Sequence, residues 1–326
     1  MRIHIQNPEN DPPFDFSWEQ WQAAVARAGD LGAGHSVTIG RTKADCAAAL
    51  HDAEILIADI AAIRAQIPLQ APRLKIIQAT VAGIDGLAPF DWLPKGVALW
   101  TNRGIHAGKA GEFGIMSVLM LASRIPEFVT QQRAGQWKKL YGSVVAGRRL
   151  TVLGLGALGG TSARHAKYFG MHVTGVRTQE KPHPDCDAVI AATDLETILP
   201  TTEFLLVAAP LTAATRNILT RERLKMLPRG AGLINIGRGA LVDQDAVCDL
   251  LESGHLGGAV LDVFVPEPVP QNHRLWTTKN LIISPHTCAD DPNTYNPQTL
   301  DTFFNNLRAC QAGRLAPTAV DFTRGF

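Results

Sequence analysis

Short apolar runs alternate with helix-length amphipathic segments along nearly the whole chain. In its first part, the apolar runs predict strands at Arg2–Ile5, Val37–Ile39, Glu54–Ala58, Lys75–Gln78 and Val97–Trp100. The segments between the runs, of which Trp18–Ala28 is an example, predict helices. Strands joined by helix-length connections pair in parallel, with helices covering both faces of the sheet. The spacing therefore predicts a first α/β unit.

A second series of the same kind begins at Leu150, after a helix predicted over Lys109–Ser123 and a polar segment, Gln131–Arg149. Its strands are predicted at Leu150–Leu153, His172–Val176, Phe204–Ala208, Gly232–Ile236, Gly258–Asp262 and Leu281–Ser284. A last helix, at about Asn296–Ala312, has no sheet of its own. We therefore expect it to pack back on the first unit.

The two series predict the α/β fold class with two doubly wound parallel-sheet domains. Residues 102–289 would form a Rossmann domain. Residues 1–101 and 290–326 would form a discontinuous, flavodoxin-like domain, with a cleft between the two domains.

Composition narrows the function classes. The chain has 326 residues, and its 31 Lys and Arg nearly balance its 30 Asp and Glu, so nothing favours nucleic acid or an anionic membrane as the main partner. The five cysteines are scattered with no C-x-x-C pair, which fits reduced thiols better than disulfides or a structural metal site. Neither a signal peptide nor an apolar run of membrane-spanning length is apparent. We expect a soluble, cytoplasmic protein that binds no metal.

A glycine motif follows the first strand of the second series. Leu150–Leu153 leads into Gly154-Leu-Gly156-Ala-Leu-Gly159, and Thr161–Phe169 reads as the following helix. Gly154 permits a tight turn, Gly156 lets the backbone approach a pyrophosphate, and Gly159 lets the helix lie close to the strand. In this strand–turn–helix context the motif predicts dinucleotide binding, although a glycine-rich turn alone would be weak evidence.

The end of the next strand bears on which dinucleotide is bound. An acidic residue there would hold the ribose hydroxyls of NAD, but this chain has Arg177 followed by Thr178. A guanidinium binds a 2′-phosphate and a carboxylate repels it. We expect NADP(H) to be preferred, with NAD(H) possible if Arg177 is only a surface charge and Glu180 serves as the acid.

Three later strands are each followed by unusual polar residues. Arg238 stands between two glycines, Asp262 ends an apolar strand with Glu267 between two prolines just beyond it, and His286 follows Pro285. Ligands of doubly wound sheets bind at this edge, and a histidine near an acid there suggests proton transfer. Taken singly, each of these residues is more often a cap, a solvated loop residue or a structural histidine.

Taken together and in order, these segments resemble the D-isomer-specific 2-hydroxyacid dehydrogenase family. That family includes glyoxylate/hydroxypyruvate reductases, D-lactate dehydrogenases and D-3-phosphoglycerate dehydrogenases. Further matching motifs are Thr80-Val-Ala-Gly83-Ile-Asp85, Asn102-Arg-Gly104-Ile-His106, Ala110-Gly-Glu112 and Ala209-Pro210-Leu-Thr212. Gly111 departs from the family, which usually has a bulkier apolar residue there, and Thr287 and Cys288 could line the substrate pocket or its lid.

The resemblance implies roles for these residues. Arg238 would grip the substrate carboxylate and carbonyl oxygen, with the backbone of Val81, Ala82 and Gly83 on the carboxylate's other side. His286 would be the general acid for reduction, and Glu267 would hydrogen-bond to it and favour its protonated form. Asp262 would orient the nicotinamide carboxamide. The expected cofactor-binding residues are Gly154, Gly156, Ala157, Leu158, Gly159, Arg177, Thr178, Pro210, Thr215, Ile236, Gly237, Arg238, Asp262 and His286.

These roles predict an oxidoreductase that transfers a hydride between NAD(P)H and a small 2-keto acid or D-2-hydroxy acid. Residues 102–289 would be its dinucleotide-binding domain, and residues 1–101 and 290–326 its substrate domain. The alternatives are a non-enzymatic dinucleotide sensor of the same fold and a phosphite dehydrogenase-like enzyme. The resemblance also implies a homodimer, formed by the helix after Ala107 and the segment around Trp137. The competing interpretation of Trp137 is an ordinary buried core aromatic.

Overall fold

The computed structural model describes residues 1–322, which divide into two compact units. One unit is Met1–His106 continued by the described residues from Asp291 onward, and the other is Ala107–Asp290. The predicted substrate domain also includes residues 323–326, which lie outside the described residues. Each unit is described by itself below.

The first unit is built on a five-stranded, wholly parallel sheet. Its strands are β1 (Arg2–Gln6), β2 (Ser36–Gly40), β3 (Ile55–Ala58), β4 (Ile76–Ala79) and β5 (Ala98–Trp100), in the spatial order β2-β1-β3-β4-β5. This is the flavodoxin-like order, as the sequence predicted. The connecting helices are α1 (Trp18–Ala28), α2 (Lys43–Leu50) and α3 (Ile60–Ala65). Capping boxes at Ser17 and Thr42 fix the starts of the first two helices.

The last helix of the chain completes this unit. It spans Tyr295–Gln311, and we number it α10 in chain order. Leu300, Phe303 and Phe304 on this helix are buried against Ile5 and Trp21. An amphipathic helix that cannot bury its apolar face alone is thus stabilised by a sheet formed far earlier in the chain.

The second unit contains a seven-stranded parallel sheet. Its strands are β6 (Arg149–Leu153), β7 (His172–Arg177), β8 (Ala188–Ala191), β9 (Phe204–Val207), β10 (Ala231–Asn235), β11 (Leu256–Leu261) and β12 (Leu281–Ile283). The order is β12-β11-β10-β9-β6-β7-β8, a Rossmann arrangement in which the direction of winding reverses between β6 and β9. Its helices are α4 (Ala107–Ala122), α5 (Ile125–Arg133), α6 (Ala157–Tyr168), α7 (Leu195–Ile198), α8 (Arg221–Met226) and α9 (Gln244–Glu252).

Glycines let α4 lie very close to α6. A Cβ on Gly111 would fall 2.4 Å from the methyl group of Thr161, and one on Gly114 would fall 2.4 Å from the Ser162 hydroxyl. The departure at Gly111 therefore serves this helix contact.

Among the described residues no single helix is long and apolar enough to cross a membrane, and only α4 and α5 taken together, across a 66° bend, reach that length and composition.

An irregular segment follows α5 and leads to β6. Trp137 in this segment is 98% exposed, so it is not a buried core residue. Tyr141 and Val144 are also largely exposed. The segment presents apolar side chains to its surroundings, which is unusual for a connection of this kind.

Candidate active site

Three neighbouring strands of the Rossmann sheet bring the predicted catalytic residues to one edge. β10, β11 and β12 lie side by side and run parallel. Arg238 follows the first, Asp262 and Glu267 follow the second, and His286 follows the third. The sheet order thus places all four residues just after the carboxyl ends of adjacent strands, which is where doubly wound folds bind their ligands.

Glu267 and His286 form a hydrogen-bonded pair. The imidazole Nδ1 lies 2.8 Å from Glu267 Oε2, and the other carboxylate oxygen accepts the Phe264 N–H at 2.8 Å. A carboxylate beside Nδ1 favours the ring form with its proton on that nitrogen. Nε2 has no hydrogen-bond partner among residues 1–322, and the side chain is 46% exposed. The pair can therefore exchange a proton with a ligand through Nε2.

Asp262 holds the segment that carries His286. Its side chain is fully buried and accepts hydrogen bonds from the Ser284 hydroxyl at 2.5 Å, the Thr287 N–H at 3.0 Å and the Cys288 N–H at 3.1 Å. The Asp262 carbonyl also accepts the His286 N–H at 2.9 Å. His286 has a φ of 56°, a left-handed conformation that costs a non-glycine residue about 1 kcal/mol or more. These bonds offset that cost.

Cys288 is the last residue of this segment, and its side chain is buried. The thiol belongs to a buried apolar cluster, and burial, followed by the nearby charge of Asp262, raises its pKa. The thiol therefore stays protonated and is no nucleophile.

The loop that carries Arg238 packs tightly against the loop that carries Glu267. A Cβ on Gly239 would lie 2.3 Å from the Phe264 carbonyl carbon, so only glycine fits there. Gln244, the first residue of α9, pairs with Val265 through both of its amide atoms, at 2.6 Å to the carbonyl and 3.1 Å from the N–H. Both loops are therefore held in one fixed arrangement.

The glycine turn after β6 is shaped to receive a dinucleotide. Gly154 has a φ of 100°, and a Cβ there would lie 2.6 Å from the Ala209 backbone. A Cβ on Gly159 would lie 1.9 Å from the Gly154 carbonyl oxygen, whereas one on Gly156 would meet nothing within 4 Å. Gly156 caps the N-terminus of α6, so open space adjoins the first-turn N–H groups, including those of Ala157 and Leu158. These residues fit the pyrophosphate of a nicotinamide dinucleotide.

The remaining predicted cofactor residues lie in this unit at neighbouring strand ends. Arg177 is the last residue of β7, half-buried, and Thr178 beyond it is exposed. Thr215 uses its hydroxyl to brace its own turn, bonding to the Pro210 carbonyl at 2.7 Å. Ile236 is buried beyond β10, and a Cβ on the next residue, Gly237, would lie 2.9 Å from the Ala209 carbonyl oxygen.

The predicted substrate loop belongs to the first unit. Val81, Ala82 and Gly83 follow β4 and are half-buried. None of their three N–H groups donates a hydrogen bond to another described residue. Adjacent unpaired N–H groups form a concave site for an anion such as a carboxylate.

Comparison with known proteins identifies the family. Residues 115–288 match the model described as the D-isomer specific 2-hydroxyacid dehydrogenase, NAD binding domain. The chain belongs to the D-isomer-specific 2-hydroxyacid dehydrogenase family. As a member of that family, the enzyme is an NAD(P)-dependent oxidoreductase that interconverts 2-hydroxy acids and 2-keto acids. A non-enzymatic sensor and a phosphite dehydrogenase are not favoured.

Several relatives of the dehydrogenase are reductases. Glyoxylate reductase of Thermococcus litoralis is 32% identical over 260 residues, which are 77% of this chain and 78% of the relative. Glyoxylate/hydroxypyruvate reductase B of Pectobacterium atrosepticum is 33% identical over 223 residues, 66% of this chain and 69% of the relative. A D-isomer specific 2-hydroxyacid dehydrogenase from Xanthobacter autotrophicus Py2, solved with NADPH and MES, has a TM-score of 0.81 at 28% identity and covers 99% of each chain.

Sequence reasoning missed the residues that support the site. Ser284 and Gln244 were not singled out, although each bonds to a segment that carries a catalytic candidate. Ser284 stands just before Pro285 and His286, which is a weak signal. Gln244 lies in the chain 21 residues before its partner, and no local pattern marks the pairing.

Proposed function

We propose that this dehydrogenase acts as an NADPH-preferring reductase of small 2-keto acids of the glyoxylate and hydroxypyruvate type. The observation that carries the proposal is the Glu267–His286 pair, joined at 2.8 Å, which leaves the imidazole Nε2 available to a ligand. His286 and Arg238 both follow the carboxyl ends of strands in the same sheet. The names of the reductase relatives support the substrate class.

The proposed roles follow from charge. The bound nicotinamide cofactor supplies the hydride. As the keto carbon is reduced, negative charge builds on its oxygen, and Arg238 with protonated His286 stabilises that charge. His286 then gives its Nε2 proton to the oxygen, which completes the alcohol. Glu267 stabilises the charged imidazole, and the N–H groups of Val81, Ala82 and Gly83 hold the substrate carboxylate.

Asp262 has a double role in this proposal. Its carboxylate fixes the His286 segment, and it would orient the nicotinamide carboxamide as well. The glycine turn, with the first-turn N–H groups of α6, would hold the pyrophosphate.

The assay that tests the reaction follows NADPH absorbance with a panel of keto acids that includes glyoxylate, hydroxypyruvate and pyruvate. We expect reduction of at least one of them. His286→Ala or Arg238→Ala should lower turnover at least about a hundredfold. A wild-type protein inactive on the whole panel, or variants with near-normal rates, would contradict the proposal.

The preference for NADPH rests on Arg177 at the end of β7. The NADPH complex of the Xanthobacter relative supports it. Arg177→Gln should lower kcat/KM with NADPH by at least about tenfold, because a charge-assisted bond to the 2′-phosphate is worth about 1.5–3 kcal/mol. The rate with NADH should change little. A wild-type enzyme that prefers NADH would refute this part.

We also propose that the enzyme is a homodimer in which the segment between α5 and β6 contacts a second copy. Support comes from exposed apolar side chains along it and from a groove of about 600 Å³ beside it. Phe128, Trp137 and Tyr141 are among the groove's lining residues.

A further inference from the structure

The substrate loop is tied down through its carbonyl groups. The Thr80 carbonyl accepts the Asn102 Nδ2–H at 2.8 Å and also accepts the Tyr295 hydroxyl. The Val81 carbonyl accepts the Asn102 backbone N–H at 2.9 Å. Asn102 and Tyr295 thus bind the two carbonyls that precede the unpaired N–H groups of Val81 and Ala82.

Because each peptide group is planar, the bonds to these carbonyls also set the direction of the N–H groups that follow them. In a trans peptide the carbonyl of one residue and the N–H of the next point in opposite directions. Fixing the Thr80 carbonyl therefore fixes the Val81 N–H, and fixing the Val81 carbonyl fixes the Ala82 N–H. Both N–H groups then point away from Asn102. Because their orientation is already set, anion binding does not cost the conformational entropy of ordering them.

The Asn102 side chain is itself held in one orientation. Its Oδ1 accepts the Gln78 Nε2–H at 3.1 Å, and its Nδ2 also donates to the Thr299 hydroxyl at 2.6 Å. Asn102, Gln78 and Thr299 are fully buried. An amide in such a network cannot turn over without leaving buried polar atoms unpaired.

Tyr295 reaches Thr80 from the first turn of α10. The two residues are 215 positions apart in the chain. The tyrosine ring packs against Phe14, with centroids 4.8 Å apart, and against His106 at 5.4 Å. These ring contacts place the hydroxyl, and they would remain if the hydroxyl were removed.

We propose that Asn102 and Tyr295 are positioning residues, which preset the Val81 and Ala82 N–H groups to receive the substrate carboxylate. This inference rests on the proposed function, in which the loop binds that carboxylate. A preset anion site contributes binding energy to the substrate and the transition state alike. Loss of the presetting should therefore raise KM and leave kcat nearly unchanged.

The test is Tyr295→Phe, which removes one hydroxyl and keeps the ring. We expect KM for the best keto acid to rise about 3- to 10-fold, the equivalent of one hydrogen bond, with kcat within about twofold of wild type. The dissociation constant of NADPH should not change. Oxalate, a dicarboxylate that cannot be reduced, should bind the NADPH complex about 3- to 10-fold more weakly by calorimetry.

Two further variants sharpen the result. Tyr168→Phe removes a hydroxyl that is exposed at the end of α6, and it should behave as wild type in every measurement. Asn102→Ala should raise KM more than Tyr295→Phe does, because it removes the side-chain bond to the Thr80 carbonyl and also the bonds to Gln78 and Thr299 that hold the buried network together. If that variant does not fold, the tyrosine variant decides alone.

Unchanged KM and oxalate affinity in Tyr295→Phe would overturn the inference. So would a fall in kcat at constant KM, or an equal loss of NADPH affinity, since each points to a different role. A wild-type enzyme that neither reduces a keto acid nor binds oxalate would instead overturn the proposed function, and the inference with it.

Discussion

Glu267 divides its two carboxylate oxygens between the Phe264 N–H and the His286 imidazole. One bond shapes the loop that contains the glutamate, and the other fixes the tautomer of the histidine. A glutamine has nearly the same shape but carries an N–H group in place of one oxygen. A glutamine at position 267 therefore removes the negative charge while keeping the shape of the side chain.

We expect Glu267→Gln to fold normally and to lower kcat by at least about tenfold. The glutamine oxygen can still accept the Phe264 N–H, but its amide N–H faces the imidazole and no longer stabilises a positive charge there. Steady-state kinetics with the best keto acid, with NADPH affinity measured as a control, check this. A kcat within twofold of wild type would show that the charge of Glu267 is not needed.

A second residue-scale prediction concerns His4, which is buried in β1. Its Nδ1 lies 2.8 Å from the Thr38 hydroxyl and its Nε2 lies 3.0 Å from Gln6 Oε1. Burial lowers the pKa of His4 below its ordinary value of 6.5, although the Gln6 hydrogen bond and the Asp45 charge oppose this. The unfolded chain therefore takes up a proton first as the pH falls, and stability is lost progressively below pH 6.5.

Urea unfolding at pH 7.5 and pH 5.5 tests this. The wild type should lose more stability between these two pH values than His4→Gln, because a glutamine does not titrate. The remaining titrating groups are shared by the two proteins, so their contribution cancels in the comparison. Equal losses would mean that His4 does not govern this part of the pH dependence.

At the scale of the element, the β6–turn–α6 motif contains one glycine that we expect folding to require and another that we expect dinucleotide binding to require. Gly159 lies against the Gly154 carbonyl oxygen, whereas Gly156 faces open space. Gly159→Ala should destabilise the protein by about 1–3 kcal/mol through overpacking. Gly156→Ala should change stability by less than about 0.5 kcal/mol yet weaken NADPH binding at least tenfold.

For each variant, thermal unfolding measures the change in stability and a fluorescence titration measures the dissociation constant of NADPH. A Gly156→Ala enzyme that binds NADPH as wild type does would exclude close approach of a pyrophosphate at this glycine. A fully stable Gly159→Ala protein would show that the helix can move away from the strand at little cost.

Every strand expected from the sequence is present, with ends within two residues of the predicted ones. β8 was not predicted, because its four residues form a short edge strand that is half-buried at best. α5 was not predicted either. It begins after Arg124, which adopts a left-handed conformation that the local sequence gives no reason to expect.

At the scale of the whole molecule, exposed apolar side chains on the segment between α5 and β6 are the feature that a single chain does not explain. Trp137, Tyr141 and Val144 are at least 79% exposed. Exposing a large aromatic side chain to water is unfavourable, so a covering surface would stabilise it.

Trp137→Asp should shift the protein from dimer to monomer in light scattering coupled to size exclusion. Leu315→Asp is the matched control, because Leu315 is a 90% exposed apolar residue in the other unit. The control should keep the wild-type mass. A wild-type protein that is already monomeric, or a dimer that survives Trp137→Asp, would contradict the proposed contact.

The sequence by itself determined every described strand except β8, the parallel pairing, the glycine turn and the chemical groups at the strand ends. Apolar periodicity and glycine conformation act between near neighbours, so a pattern along the chain is enough to reveal them. Tertiary structure alone decided which groups support these elements. The Thr80 carbonyl meets Asn102 across 22 positions and Tyr295 across 215, and both contacts depend on strand order and on where α10 docks. The sequence near these residues contains no pattern from which the contacts could be predicted.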